Sequence, residues 1–286
     1  MKKKTIFGII AVIIIAIAVF VFVQGNTSTS KAISVRTGEI KTETIVEKLS
    51  TTGTLIPNQS QSLAGTGNVV EVNVKVGDKV EKDKVLATYD NGFQLIAPFS
   101  GTITQINIKE KTPDTNAQLG KPSIQIDDLS TLKVQLQLSN SEAAAVTIDQ
   151  NVEIINGNQK YQGKVAEKDP VAISTQSATG TTANLGAVVT FDQAPEHLFA
   201  GFDVDTEIIT NTANNVLALP IEALTYNDNN EPIIFIIKNG VAKETKIKIG
   251  IQSDKLVEVT AGAKAGETVI LSPSSDIKNN TEVTKE

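Results

Sequence analysis

The side chains that could carry chemistry are few and scattered. The one histidine, His197, stands in Ala194-Pro195-Glu196-His197-Leu198, a stretch that reads as a loop before a strand, where a lone imidazole is a solvated group rather than a catalyst. The chain has no cysteine, which excludes disulfides, thiol nucleophiles, thiolate metal sites and a lipid-bearing N-terminal Cys. Asp127-Asp128 pairs two carboxylates, but no acid follows at the spacing a cation loop needs, so a turn or strand-end role is expected. Gly77-Asp78 has no helix behind it and is a turn rather than a phosphate cradle. No serine sits in a nucleophile elbow. No catalytic constellation, cofactor site or metal site is expected, and the chain reads as a non-enzyme.

The elements around these residues are strands. Apolar and polar residues alternate over Val69, Val72, Val74 and Val76, over Leu132, Val134, Leu136 and Leu138, and over Val204, Thr206 and Ile208, the pattern of half-buried β-structure. Val76-Gly77-Asp78-Lys79, Asn156-Gly157-Asn158 and Lys238-Asn239-Gly240 mark turns, the last a hairpin signal. One short helix is expected over Ser141–Thr147 with Ser139 or Ser141 as N-cap, and a brief turn over Pro220–Leu224. Residues 172–187, rich in Ser, Thr, Ala and Gly, read as a mobile loop or a poorly ordered insertion. Aromatic content is 4% with no Trp, which suits small β-modules. The net charge of −6 argues against nucleic acid and anionic lipid surfaces as partners.

Lys2, Lys3 and Lys4 precede an uncharged apolar run over 6–23, whose 18 residues span roughly 27 Å as a helix, enough to cross a bilayer core. The lysines favour a cytoplasmic tail at 1–5, a single-pass anchor at 6–23 and an extracytoplasmic remainder. A cleaved signal peptide is the alternative. Residues 24–35 read as a flexible linker.

An internal repeat organises the next segment. Gly67-x-Val69-x-x-Val72-Asn73-Val74-Lys75 matches Gly101-x-Ile103-x-x-Ile106-Asn107-Ile108-Lys109 at an offset of 34. Leu86-Ala87-Thr88-Tyr89-Asp90 parallels Ile124-Gln125-Ile126-Asp127-Asp128 at an offset of 38, placing about four extra residues near Thr112–Asn116 of the second copy. Two small sheets, each with one apolar face, are expected to pack as a pseudo-twofold sandwich.

These residues resemble a known family. Val69–Asp90, with its turn at Gly77-Asp78, looks like the first half of a lipoyl/biotinyl-type domain, and Ile96-Ala97-Pro98-Phe99-Ser100-Gly101-Thr102-Ile103 like the start of the second. The same halves occur in membrane fusion proteins, the periplasmic adaptors of efflux pumps. Gly201-Phe202-Asp203-Val204, Leu219-Pro220-Ile221-Glu222-Ala223-Leu224 and Ala261-Gly262-Ala263-Lys264-Ala265-Gly266-Glu267 resemble later landmarks of that family, in order. The resemblance implies a mainly β chain, nested so that it goes out and returns. The expected modules are a membrane-proximal domain over 36–57 plus 219–275, a lipoyl-like sandwich over 58–130, a β-barrel over 131–218 and a C-terminal tail over 276–286. Gly67, Gly77, Asp78, Pro98 and Gly101 would be its structural turns.

In carriers of this fold the connection between the halves holds a modified Lys; here Asp90-Asn91-Gly92-Phe93-Gln94-Leu95 has none, so no lipoyl or biotinyl cofactor is expected. Many adaptors insert a long helical hairpin there, and this connection cannot hold one, which argues against docking to an outer-membrane channel. Among subfamilies the chain looks most like MacA-like adaptors. That implies a MacB-like ABC permease and ATPase as partner, a homo-oligomeric ring, with six copies in relatives, and Gln118 in Ala117-Gln118-Leu119-Gly120-Lys121-Pro122 as a pore-lining valve. An ordinary exposed loop Gln is the alternative. The Lys-, Asn-, Ile- and Thr-rich composition hints at a Gram-positive source. A cell-envelope binding or adhesion protein built of β-modules is the rival reading of the whole chain.

Overall fold

The computed structural model describes residues 32–177 and 180–286. The expected anchor at 6–23 lies outside the described residues, among which no helix is long and apolar enough to cross a membrane. The described chain is mainly β. It divides into two compact units, one built from the chain ends up to Ile45 and from Ala213 onward, the other from Val46–Thr212.

The Val46–Thr212 unit holds two separate apolar cores. The first lies inside a closed barrel. Its ring of hydrogen-bonded neighbours runs Lys41–Leu63, Ile124–Leu138, Gly180–Phe191, Gln159–Lys168, Asn151–Asn156, Asp203–Pro220 and back to Lys41–Leu63. The alternation read from sequence fills it: Leu132, Val134, Leu136 and Leu138 are all buried, as are Val204, Thr206 and Ile208. Closure leaves these strands no free edge. The helix is Asn140–Ala145, with Ser139 as N-cap in a full capping box with Glu142.

Residues 172–187 depart from their expected looseness. Ile173–Ser177 pairs antiparallel with the start of the Gly180–Phe191 strand, from Ile173↔Asn184 to Ser177↔Gly180. Ladder bonds are made by the backbone, so a Ser/Thr/Ala-rich ribbon can continue a strand whose far end, at Ala187 and Val189, is anchored in the barrel core.

The second core is a sandwich whose symmetry is explicit in its ladders. Val69, Glu71 and Val72 of Gly67–Val72 face Tyr89, Thr88 and Ala87. In the second copy Ile103, Gln105 and Ile106 face Ile126, Gln125 and Ile124. The first strands are thus offset by 34 and the returning strands by 37, not 38. Matching Asp90 to Asp128 by residue type had slipped the alignment by one position; backbone pairing counts residues, not types. Between the halves, two short strands change sides. Val80 and Lys79 of the first half pair with Gly101 and Thr102 of the second, and Asp114 and Pro113 of the second pair with Gly67 and Asn68 of the first. The offset is still 34 at Asp114 and 37 at Ile124, so the extra residues of the second copy number three and lie between these two, beginning within the expected Thr112–Asn116 stretch and extending past it.

The other unit is also β. In the strand Pro232–Lys238, Ile233 and Phe235 enter one apolar cluster while Ile234 and Ile236 enter another. Its hairpin to Val241–Lys246 turns at Asn239 and Gly240, both at positive φ (54° and 75°), as the Asn-Gly signal requires. The C-terminal segment is not a loose tail. Ile277 and Val283 are buried, and Val283–Lys285 pairs in parallel with Ile33–Val35.

The strand exchange yields a direct test. A Cβ at Gly101 would meet the Asp127 backbone oxygen at 2.9 Å, a contact only main-chain movement can relieve. Gly101→Ala is expected to lower stability by about 1–3 kcal/mol in urea unfolding.

Candidate functional site

The segment with the most unusual construction is the loop that follows Asp114, which carries Gln118. At Asp114 the second copy places an acid where the first copy has Val80, a core residue 4% exposed. Asp114 is itself only 7% exposed. Burying a carboxylate costs several kcal/mol unless it is bonded, and here each oxygen accepts two bonds. Tyr89 donates its hydroxyl to Oδ2 at 2.7 Å, and Ser123 donates Oγ–H to the same oxygen at 2.5 Å. Asn116 donates to Oδ1 twice, from its backbone N–H at 3.0 Å and its amide at 2.9 Å. Ser123 Oγ accepts in turn from the Gly65 N–H at 3.0 Å.

This hub fixes both ends of the loop. The Asn116 amide also donates to the Asn107 carbonyl at 3.0 Å, while Asn107 donates its own amide to the Pro122 carbonyl at 2.8 Å. Between these anchors the chain makes one 3-10 turn, Ala117–Leu119, closed by Gly120 at φ 65°. Ala117, Gln118 and Leu119 are all exposed, Leu119 by 66%. The Gln118 side chain makes no hydrogen bond among the described residues, so its amide is available to an outside partner. A rigid base thus presents a small polar and apolar tip to solvent.

The other singled-out residues take structural places. Gly77 turns the chain at φ 94°, and Asp78 closes that turn by accepting the Lys75 N–H at 2.9 Å. Gly67, at φ 116°, and Gly101 are the exchange partners described above. Pro98 lies in the bend Pro98–Ser100 that leads into Gly101–Ile106. The connection between the halves is a tight turn: Tyr89 N–H bonds the Phe93 carbonyl at 2.9 Å and Gly92 N–H the Tyr89 carbonyl at 3.0 Å. His197 is exposed, at φ 60°, in the loop before Asp203–Pro220. Asp127 and Asp128 lie within the strand Ile124–Leu138, just before its register shift, each bonded to neutral side chains. No cluster of potential metal ligands occurs among the described residues.

The Asp114 hub escaped sequence reading, although the repeat contained its signal: an acid aligned with a core valine. Electrostatically the hub is one unit. Burial works to raise the Asp114 carboxyl, but the bonds from Ser123, Tyr89 and Asn116 outweigh it and hold the group below the usual carboxylate range. Burial, and then the Asp114 carboxylate, push the Tyr89 phenol far above its usual range. A carboxyl that ionises more readily in the folded chain stabilises it fully above the unfolded pKa of about 3.9 and loses that contribution as pH falls through the folded value. Asp114→Asn is therefore expected to flatten the acid limb of the stability–pH curve. Tyr89→Phe, which leaves Asp114 one donor short, is expected to cost about 1–3 kcal/mol at neutral pH. Both are read by urea unfolding across pH.

Comparison with known proteins agrees with this architecture. Residues 63–127 match the family described as YknX, barrel-sandwich hybrid domain, and residues 216–285 match YknX, C-terminal permuted SH3-like domain. Macrolide export protein MacA of Escherichia coli O157:H7 is 23% identical over 185 residues, 62% of this chain, which spans about half (48%) of that relative's length. YknX of Bacillus subtilis (strain 168) is 23% identical over 348 residues, covering 90% of this chain and 92% of its own. The crystal structure of MacA from Actinobacillus actinomycetemcomitans shares the fold, with a TM-score of 0.69 at 17% identity over 82% of this chain and 99% of that one. With its sandwich halves joined by a four-residue turn over Asp90–Phe93, the chain belongs to the membrane fusion protein, or periplasmic adaptor, family.

Proposed function

We propose that this chain is a non-enzymatic, extracytoplasmic adaptor of an ABC-type, MacB-like export pump. In this reading the apolar run at 6–23 anchors it once in the cell membrane with the N-terminus cytoplasmic. The unit holding residues 213–286 serves as the membrane-proximal body, and the barrel and sandwich of residues 46–212 are the parts that line the export path. The chain works as a homo-oligomeric ring. The observation that carries the reading is the Asp90–Phe93 turn within an otherwise complete adaptor sandwich. It offers no lysine for a cofactor and no hairpin to reach a second membrane, so function must come from surfaces presented near one membrane. The kinship with MacA of Escherichia coli, a macrolide export protein, favours a role in export over an independent envelope-binding role.

Gln118 is the candidate valve residue. Copies of its free amide around a ring could hydrogen-bond to one another across a narrow aperture, and the Asp114 hub would hold them in register.

Two experiments test the reading. Affinity purification of the tagged full chain from solubilised membranes is expected to bring with it an ABC permease whose ATPase rate the chain raises; a monomer recovered without such a partner overturns the assignment. Gln118→Ala is expected to leave ring assembly intact, seen by native mass spectrometry, and to change export; unchanged export removes the valve role while leaving the adaptor role standing.

A further inference from the structure

Within the Val46–Thr212 unit a cleft of about 810 Å³ opens between the sandwich and the mouth of the barrel. Its volume falls within the range of small-molecule sites. Three observations give it a chemical character.

The first is an outward-facing aromatic ring. In the loop before Asp203–Pro220, Leu198 and Ala200 pack against the barrel core, while Phe199 between them is 69% exposed and lines the cleft. The loop is held by the strand Lys41–Leu63: Gly201 N–H donates to the Leu55 carbonyl at 2.7 Å and Leu55 N–H to the Phe202 carbonyl at 2.8 Å. Phe199 is thus fixed in place rather than carried on a free end. The second is Leu129, 42% exposed on another wall, at the register shift of the long strand. The alternation that buries Ile124, Ile126, Leu132 and Val134 places this residue on the strand's other face, the one that carries Asp127.

The third is Asp127, which also lines the cleft although it is only 8% exposed. It accepts from Ser60 at 2.5 Å and Gln125 at 3.0 Å on Oδ1, and from Thr104 at 2.6 Å on Oδ2. All three donors are neutral, and Asp127 has no ion pair among the described residues. A carboxylate has about four acceptor positions, so Oδ2 retains one. Asp114 has all of its positions filled; Asp127 does not. A largely buried anion with a spare acceptor, below exposed apolar walls, is complementary to a cation that carries an apolar body.

We propose that this cleft binds small amphipathic cations, with Asp127 as counter-ion and Phe199 and Leu129 as the apolar walls. Phe199 adds a π face to a delocalised or quaternary charge. The site rests on the cleft's own residues and is independent of which transporter the chain serves.

The test uses the full chain in phosphatidylcholine nanodiscs, with empty discs subtracted. Rhodamine 6G is the cationic probe and fluorescein its anionic counterpart, both read by fluorescence anisotropy. Saturable binding of rhodamine 6G is expected, with fluorescein neither binding nor competing. Asp127→Asn and Phe199→Ser are each expected to weaken it by about tenfold or more. Because Phe199 is exposed, its variant keeps the thermal midpoint of the parent and decides the matter even where Asp127→Asn loses stability. Absence of saturable binding, equal binding of fluorescein, or an unchanged affinity in Phe199→Ser overturns the proposal. So does a shift from oligomer to monomer in Phe199→Ser without a change in rhodamine affinity, which would mean that a second copy of the chain covers this cleft.

Discussion

The exchange of short strands between the two halves of the sandwich is the constraint on which the rest of the molecule depends. Each half is a ladder with one apolar face, too small to bury that face by itself. Lys79–Val80 crosses to the second half and Pro113–Asp114 to the first, so each sheet is completed by a strand from the other copy. Gly101 is caught between its exchange partner Val80 and the Asp127 backbone of its own half, which leaves no room for a Cβ. Once both halves are interlocked, Ile124–Leu138 leaves the sandwich in a fixed direction and enters the barrel as one of its staves. A single strand therefore carries the register of one core into the next through Ile124, Ile126, Val134 and Leu136, all fully buried.

Much of this was legible because it rests on periodicity. Alternation located the buried faces of the barrel strands, and the Asn239-Gly240 and Gly77-Asp78 turns were set by backbone conformations that few residue types accept. The repeat could be seen through Gly67 and Gly101 since both occupy the same exchange position. Other features could not be read from residue type. Ile173–Ser177 looks unstructured by composition, yet a ladder needs only backbone groups and a neighbour to pair with. Ile277 and Val283 look like isolated apolar residues, and it is a cluster with Val35, Ile233, Phe235, Ala242 and Ile270 that makes them core. For Val283 the deciding contact is distant in sequence, where local patterns carry no information; for Ile173–Ser177 the partner is the adjacent strand, but neither strand's composition signals it.

The site was partly legible. Gln118 was singled out by resemblance in its flanking residues, but the reason the loop around it has a defined shape was not visible. Three additional residues after Asp114 would leave a flexible bulge if nothing held its ends. Holding them requires hydrogen-bond acceptors inside the sandwich, where the symmetric position in the first half offers only the methyl groups of Val80. Asp114 supplies those acceptors, and Tyr89, Ser123 and Asn116 supply the donors that make a buried carboxylate tolerable. The loss of symmetry at one core position and the gain of a shaped loop are the same event.

Comparison of the two buried aspartates separates structure from function on physical grounds. Asp114 and Asp127 have nearly equal exposure, 7% and 8%. Asp114 is saturated by four donor groups, one of them a phenol that burial, and then Asp114 itself, keep protonated. Such an arrangement has no capacity left for a ligand, and its free energy is spent on folding. Asp127 is bonded by three neutral donors, lines a cleft, and stands opposite apolar side chains that the fold leaves in water. The difference between them is therefore not burial but what remains unfilled: Asp114 has no acceptor position left, while Asp127 keeps one beside an opening that Phe199 and Leu129 also line.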